Sequence, residues 1–166
     1  MTRHLIDVNK AVDLITMLLP VAGKNLLLPN VAVAEIIQLG ELAKPSNHAA
    51  GILGTCCWRG TRIPVLAFDM LNQEPSSEVD FGFHAAVING AAEALPFYAI
   101  ATQAPPRMMR VNHKEISESA GASPGPAELM IVDTCGETAT IPDLEYIEKQ
   151  LLAVLGSQQA PVAQAG

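Results

Sequence analysis

The stretch Gly54–Leu66, Gly-Thr-Cys-Cys-Trp-Arg-Gly-Thr-Arg-Ile-Pro-Val-Leu, constrains the fold more than any other part of the chain. It reads as two extended segments meeting at Arg59-Gly60, because Gly60 can take the positive φ that a tight hairpin demands. With a side-chain period of two, Ile63, Val65 and Ala67 point to one face and Pro64, Leu66 and Phe68 to the other. Both faces are apolar, so this strand belongs where it is covered on both sides. Pro64 has no N–H for a ladder and marks a bulge, an edge or a strand start. Arg59 beside Trp58 at the tip is a polar and aromatic pair of the kind that anchors interfaces, although from these residues alone an exposed turn arginine is the simpler reading.

The rest of the chain is punctuated in the same way. Residues 1–12 are polar and mixed and read as a loose leader. Asp13–Leu19 and Leu26–Leu28 form a hairpin across the turn-rich Pro20–Asn25. Asn30–Ala34 leaves room for one helical turn before a strand over Val33–Gln38, where Val33, Glu35 and Ile37 alternate with Ala34, Ile36 and Gln38. Gly40–His48 is a loop by composition, and Gln73–Glu78 is a polar excursion. Phe83–Ile88 and Leu95–Ala101 are strands with Asn89-Gly90 as the turn signal between them. Arg107–Val111 is a half-buried strand, Glu118–Pro126 a loop, and Leu129–Asp133 with Glu137–Ile141 a last hairpin around Cys135-Gly136. Short strands at regular spacing indicate β-barrels or a sandwich rather than βαβ units.

One helix follows. Pro142 suits its first turn, Asp143 its N-terminus, and Leu144, Ile147, Leu151 and Leu155 share a face, with Glu145 and Lys149 as an i,i+4 pair. Gly156 is expected to end it, and the helix reads as one that closes a barrel. Residues 157–166 are Gln, Ala and Pro rich and are expected to be a disordered tail, which leaves 13–156 as a single domain.

Ten basic against seventeen acidic side chains give a net charge of −7, which opposes nucleic-acid binding through phosphates. No apolar run approaches the ~20 residues of a membrane span, and Asp7, Lys10 and Asp13 interrupt the region where a signal peptide would need its apolar segment. Three cysteines, two of them neighbours at 56 and 57, argue against a disulfide framework and for a reducing compartment. Their spacing with the four histidines matches no metal motif, and no glycine pattern cradles a phosphate or dinucleotide, so neither metal nor cofactor is expected. Gly121-Ala-Ser123-Pro-Gly125 matches the Gly-x-Ser-x-Gly pattern of serine hydrolases. The residue after the serine is Pro124, which has no N–H for an oxyanion hole, and the flanks are loop-like. A small hydrolase using Ser123 is the competing class, and a purely structural β-barrel in a larger assembly is a third.

Gly54-x-x-x-Trp58-Arg59-Gly60-x-x-Ile63-Pro64-Val65 resembles the Gly-x-x-Asn-x-Arg-Gly-x-x-x-Pro-Val signature of the CheW-type chemotaxis coupling adaptors. Leu28-Pro29 with Val33-Ala-Glu35-Ile36 is similar to that family's Pro-x-x-x-Val-x-Glu-Val segment, and Thr140-Ile-Pro-Asp143-Leu-Glu to its final strand and helix. The likeness spans about residues 12–152 and is greatest to the divergent ChpC-type adaptors of the chemosensory pili system. It implies an all-β fold of two intertwined, SH3-like, five-stranded β-barrels with a short C-terminal helix. It also implies no catalysis, and a cytoplasmic role bridging chemoreceptor signalling domains and a CheA-type histidine kinase in a membrane-associated array, without insertion into the bilayer. The receptor contacts carry over to Val33, Glu35, Ile36 and Arg59, together with Trp58 and Gly60 of the same tip. Cys57 and Trp58 depart from the family pattern, as does Ala99–Gln103, where a Gly-x-x-x-Asp element is usual on the kinase-facing side.

Overall fold

The structure is a computed structural model that describes residues 13–43, 51–74 and 84–158. The leader, part of the Gly40–His48 loop and the segment after Glu74 lie outside the described residues, as does most of the tail. The strands are β1 (Asp13–Val21), β2 (Lys24–Pro29), β3 (Val33–Gln38), β4 (Ile52–Trp58), β5 (Thr61–Leu66), β6 (His84–Ala92), β7 (Leu95–Thr102), β8 (Arg107–Asn112), β9 (Ile116–Glu118), β10 (Glu128–Thr134) and β11 (Glu137–Pro142). A 3₁₀ turn at Asn30–Ala32, a short helix α1 (Phe68–Leu71) and a C-terminal helix α2 (Leu144–Gln158) complete the described chain.

The strands form two sheets, of order β8-β1-β2-β11-β10-β9 and β3-β6-β7-β5-β4. In each sheet the two end strands are consecutive in the chain, β8 with β9 and β3 with β4, so the ends return to one another at a corner. This is the SH3-like form, although neither sheet closes through a continuous ladder. The first sheet has six strands rather than the expected five. The extra one, β9, contributes only Ile116–Glu118 against β10 and is too short to carry a period-two signal.

Alternation along the central strands sorts the core into three. Leu18 and Leu27 share the inner face of the six-stranded sheet with Val111, Val132 and Ala139. Ile63, Val65, Val87 and Ala99 fill the inner face of the five-stranded sheet beneath Trp58. The opposite faces meet in a shared slab, where Leu19, Leu26 and Leu28 pack with Leu66, Phe68, Ile88, Tyr98 and Ile100. Helix α2 covers this slab with Ile147 and Leu151, each fully buried side chain being worth roughly 2 kcal/mol by transfer. Both faces of β5 are indeed covered, and its second ladder, to β7, begins at Val65, one residue past Pro64.

Several boundaries differ from expectation. The first hairpin turns at Ala22-Gly23, and Pro20 stays in β1 opposite Asn25. It is tolerated because the ladder from β1 to β8 stops at Leu18, so Pro20 faces no donor requirement on that side. Asn89-Gly90 is not a turn. Strand β6 continues through it to a turn at Glu93-Ala94, with a bulge between Asn89 and Ala92. A Cβ on Gly90 would lie 1.8 Å from the Leu95 carbonyl oxygen, so glycine is required there for close approach. The Ala91 N–H in the bulge donates to Glu148 Oε1 of α2 at 2.7 Å, which accounts for a buried carboxylate on that helix. Pro142 is the last residue of β11 rather than part of the helix, while Asp143 Oδ1 accepts from the Tyr146 N–H as an N-cap. The helix runs through Gly156 to Gln158, an ordinary cost of about 1 kcal/mol for a terminal glycine.

A buried polar cluster joins the sheets at the end of α1. The Glu128 carboxylate accepts from Lys24 Nζ, from Asn72 Nδ2 at 2.7 Å and from the Gly125 N–H at 3.1 Å. Asn72 Oδ1 in turn accepts from the Ala127 N–H, and Glu74 also pairs with Lys24. Burial alone would raise the Glu128 pKa, but the donors from Lys24, Gly125 and Asn72 outweigh it and hold the carboxyl below its ordinary value.

The depressed pKa makes stability depend on acid in one direction. The contribution of Glu128 is fully present above the unfolded carboxyl's value of 4.5 and is lost as pH falls through the lower folded value. The stability measured by urea denaturation should therefore fall on the acid side in the wild type, with a flatter acid limb in Glu128→Gln. Glu128→Ala, which leaves the Asn72 amide and the Gly125 N–H without their acceptor while Lys24 keeps Glu74, should cost about 2 kcal/mol at neutral pH. In thermal melts, Gly90→Ala should be far more damaging than Gly60→Ala, where a Cβ meets nothing and only the left-handed φ costs about 1–2 kcal/mol.

Candidate functional site

The hairpin β4–β5 turns at Arg59-Gly60 with φ of +47° and +77°, so both central residues are left-handed, as a type I′ turn requires. Only the glycine was foreseeable in that conformation. The turn carries the tip to the opposite end of its sheet. β3 and β4 are the two outermost strands, and curling of the sheet brings Glu35 of β3 against Trp58 and Arg59.

One carboxylate oxygen organises the seam. Glu35 Oε2 accepts from Trp58 Nε1 at 2.8 Å and lies 3.1 Å from an Arg59 guanidinium nitrogen. The Arg59 guanidinium also sits over the Trp58 ring, 4.8 Å from its centroid, and the ring packs at 4.7 Å and 59° against Phe97. Trp58 is 8% exposed and forms the floor, whereas the Arg59 side chain is 69% exposed and is the presented group. Gly60 touches nothing through its missing Cβ and serves the turn.

The apolar half of the site rests on an irregularity in β3. Strict alternation places Val33 with Glu35 and Ile37, and Ile36 on the other face. A bulge between Val33 and Glu35 reverses the phase, since Val33 pairs with Ile88 and Ile36 with Ala86, while Glu35 pairs with Val87. Val33 and Ile36 therefore share the slab-facing side, half-buried, and Glu35 turns to Trp58. Val31, in the 3₁₀ turn just before, is 84% exposed, and its carbonyl oxygen accepts from Asn89 Nδ2 at 3.1 Å. Sequence reasoning missed Val31, Asn89 and Phe97. Asn89 carries a turn signal in the sequence, and nothing local marks Phe97 as the partner of a tryptophan distant in the chain.

Other chemistry does not assemble. Gly121–Gly125 lies between β9 and β10 in irregular backbone with Ser123 exposed, so the strand-turn-helix elbow that a nucleophilic serine needs is not formed. Cys56 is half-buried, and burial first, then neighbouring Cys57, pushes its thiol pKa up, away from a reactive thiolate. Among the described residues no group of three or more His, Cys, Asp or Glu converges to hold a metal ion, and no helix is long and apolar enough to cross a membrane. Ala99–Thr102 is buried within β7.

The model of the CheW-like domain family matches residues 16–150. Among solved structures, the chain is similar to the crystal structure of scaffolding protein TtCheW from Thermoanaerobacter tengcongensis, with a TM-score of 0.65 at 13% identity over 79% of this chain and 89% of that one. At that identity the likeness is one of fold. No curated protein matches significantly.

The single tryptophan reports on the seam. Glu35→Ala should shift its emission to longer wavelength and move the indole N–H resonance, with less than about 1 kcal/mol lost in urea, because the pair is partly solvated. An indole resonance that stays in place would show that Glu35 does not hold the ring in solution.

Proposed function

We propose, from the premise that this chain belongs to the CheW-like domain family, that it is a non-catalytic adaptor coupling chemoreceptors to a CheA-type histidine kinase. The observation that carries the reading is the shared Glu35 carboxylate, which fixes Arg59 over Trp58 at a barrel seam beside Val31, Val33 and Ile36. An amphipathic receptor helix is met by such a surface in two parts. Half-buried aliphatic side chains supply the desolvated contact, and a pre-oriented guanidinium donates to a carboxylate or to the carbonyl groups of a helix C-terminus. The location would be the cytoplasmic face of a receptor array, and the ChpC-type, pilus-linked system is the branch of the family that the sequence resembles most.

In a pull-down with the soluble signalling domain of a chemoreceptor and the CheA-type kinase of the same cell, wild-type protein should be retained by the receptor domain. Arg59→Glu should reduce receptor retention at least about tenfold, the equivalent of roughly 1.4 kcal/mol, with unchanged circular dichroism. Equal retention of mutant and wild type would remove the site, and no retention by receptor or kinase would favour a structural role.

A further inference from the structure

The aliphatic side of the candidate site begins at a segment that cannot hold its own shape. The 3₁₀ turn Asn30–Ala32 is a single turn with no buried residue and no side-chain cap, closed by the Val33 N–H donating to the Asn30 carbonyl oxygen. Turns of this length are unstable alone in water, so the conformation has to come from a contact elsewhere. That contact is on β6. The β3–β6 ladder ends with Val33 opposite Ile88, and Asn89 is the first β6 residue beyond it. Its Nδ2 donates to the Val31 carbonyl oxygen at 3.1 Å, while the Val31 side chain stays exposed.

Asn89 is in turn held from two directions. In the β6–β7 ladder it lies opposite Phe97, whose ring packs against Trp58. The bulge between Asn89 and Ala92 follows at once, and Gly90 passes so close to the Leu95 carbonyl oxygen there that no Cβ fits. Inside the bulge the Ala91 N–H donates to Glu148 Oε1 of α2 at 2.7 Å. Glu148 is buried, and burial first, then its charge, raises the pKa of the Tyr98 hydroxyl on the residue opposite Ile88. The carboxylate is therefore seated at the edge of the slab and not in open solvent, and it fixes the bulge from which the Asn89 amide projects.

We infer that Asn89 is a positioning residue for partner recognition: braced through the β6 bulge by Glu148 of α2, its side-chain amide sets the 3₁₀ turn that presents Val31 to the apolar face of a receptor helix. The inference rests on the receptor-binding reading of the site. An exposed hydrogen bond of this kind adds little to folding, but it removes turn conformers whose loss would otherwise weaken binding. Helix α2, which contributes no side chain to the tip, thereby shapes the surface that the partner meets.

The test measures affinity of the full chain for the soluble signalling domain of a chemoreceptor, with the Val31 methyl resonances of the free protein recorded alongside. Asn89→Ala should weaken binding about fivefold and displace the Val31 signals, with a thermal midpoint within about 3 °C of wild type. Val31→Ala should weaken binding to a similar extent, and the double variant no further, because Asn89 acts through Val31. Glu148→Met, which fills the same space without an acceptor, should move the Val31 signals as Asn89→Ala does. Glu148→Gln, whose amide oxygen still accepts from the Ala91 N–H, should restore them. Additive losses in the double variant, or Val31 signals that stay in place in Asn89→Ala or Glu148→Met, overturn the proposal while leaving the receptor reading intact. Wild-type protein that does not bind the receptor domain at all sinks that reading, and the proposal with it.

Discussion

Leu26, Leu27 and Leu28 follow one another in β2 and all three are buried, which is possible only where both faces of a strand are covered. The same holds for Ile63 to Leu66 in β5, Ala85 to Ile88 in β6 and Tyr98 to Ala101 in β7. A single sheet packed on one side cannot satisfy such strands. Each sheet instead curls to fill its own interior and turns its outer face to the other sheet. The shared slab of Leu19, Leu26, Leu66, Ile88 and Ile100 is therefore the consequence of two-faced strands, and the intertwined chain path follows from it. N-terminal β1 and β2 join C-terminal β8 to β11, while the middle of the chain forms the second sheet.

With so much apolar surface committed, polar groups are placed at the joints. Glu128 is buried where α1, the Gly125 loop and the Lys24 strand end converge, and it is met there by Lys24, Asn72 and a backbone N–H. Glu148 is buried where α2 crosses the β6 bulge and receives the Ala91 N–H that the bulge leaves without a ladder partner. Glu35 serves the seam between β3 and β4 in the same manner. In each case a carboxylate supplies an acceptor where regular strand pairing is interrupted or the sheet ends.

How far the sequence disclosed this can be judged from particular residues. The β4–β5 and β10–β11 hairpins were legible because left-handed turn residues, Gly60 and Gly136, sit between alternating segments. The first of these also placed Arg59 at a tip, and the resemblance at Arg59-Gly60 and Val33–Ile36 pointed to the family. Hidden were features whose cause is distant in the chain. Asn89-Gly90 carries a hairpin signal, yet the need for close approach to Leu95 and the Glu148 contact from α2 make it a bulge. The β3 bulge cannot be seen in Val-Ala-Glu-Ile-Ile, because both phases bury aliphatic residues; pairing with β6 decides. β9 exists only because β10 offers it an edge. The role of Asn72 as a double-ended link to Glu128 and Ala127 has no local signature at all.

The bulge in β3 is what makes the candidate site coherent. Without the phase reversal, Val33 would face the Trp58 side with Glu35, and no aliphatic pair with Ile36 would form. With it, the strand divides its labour between apolar contact and orientation of the arginine. The ion pair of Glu35 and Arg59 is largely solvated, so it adds little to folding stability. Its effect is on the arginine's freedom. A free Arg side chain carries about 2 kcal/mol of rotamer entropy, part of which is lost on binding. Stacking on Trp58 and pairing with Glu35 incur some of that loss during folding, when the hydrophobic slab supplies the driving force. A surface group that contributes little to stability can in this way contribute to affinity, which separates the residues that hold the barrels together from those that present the tip.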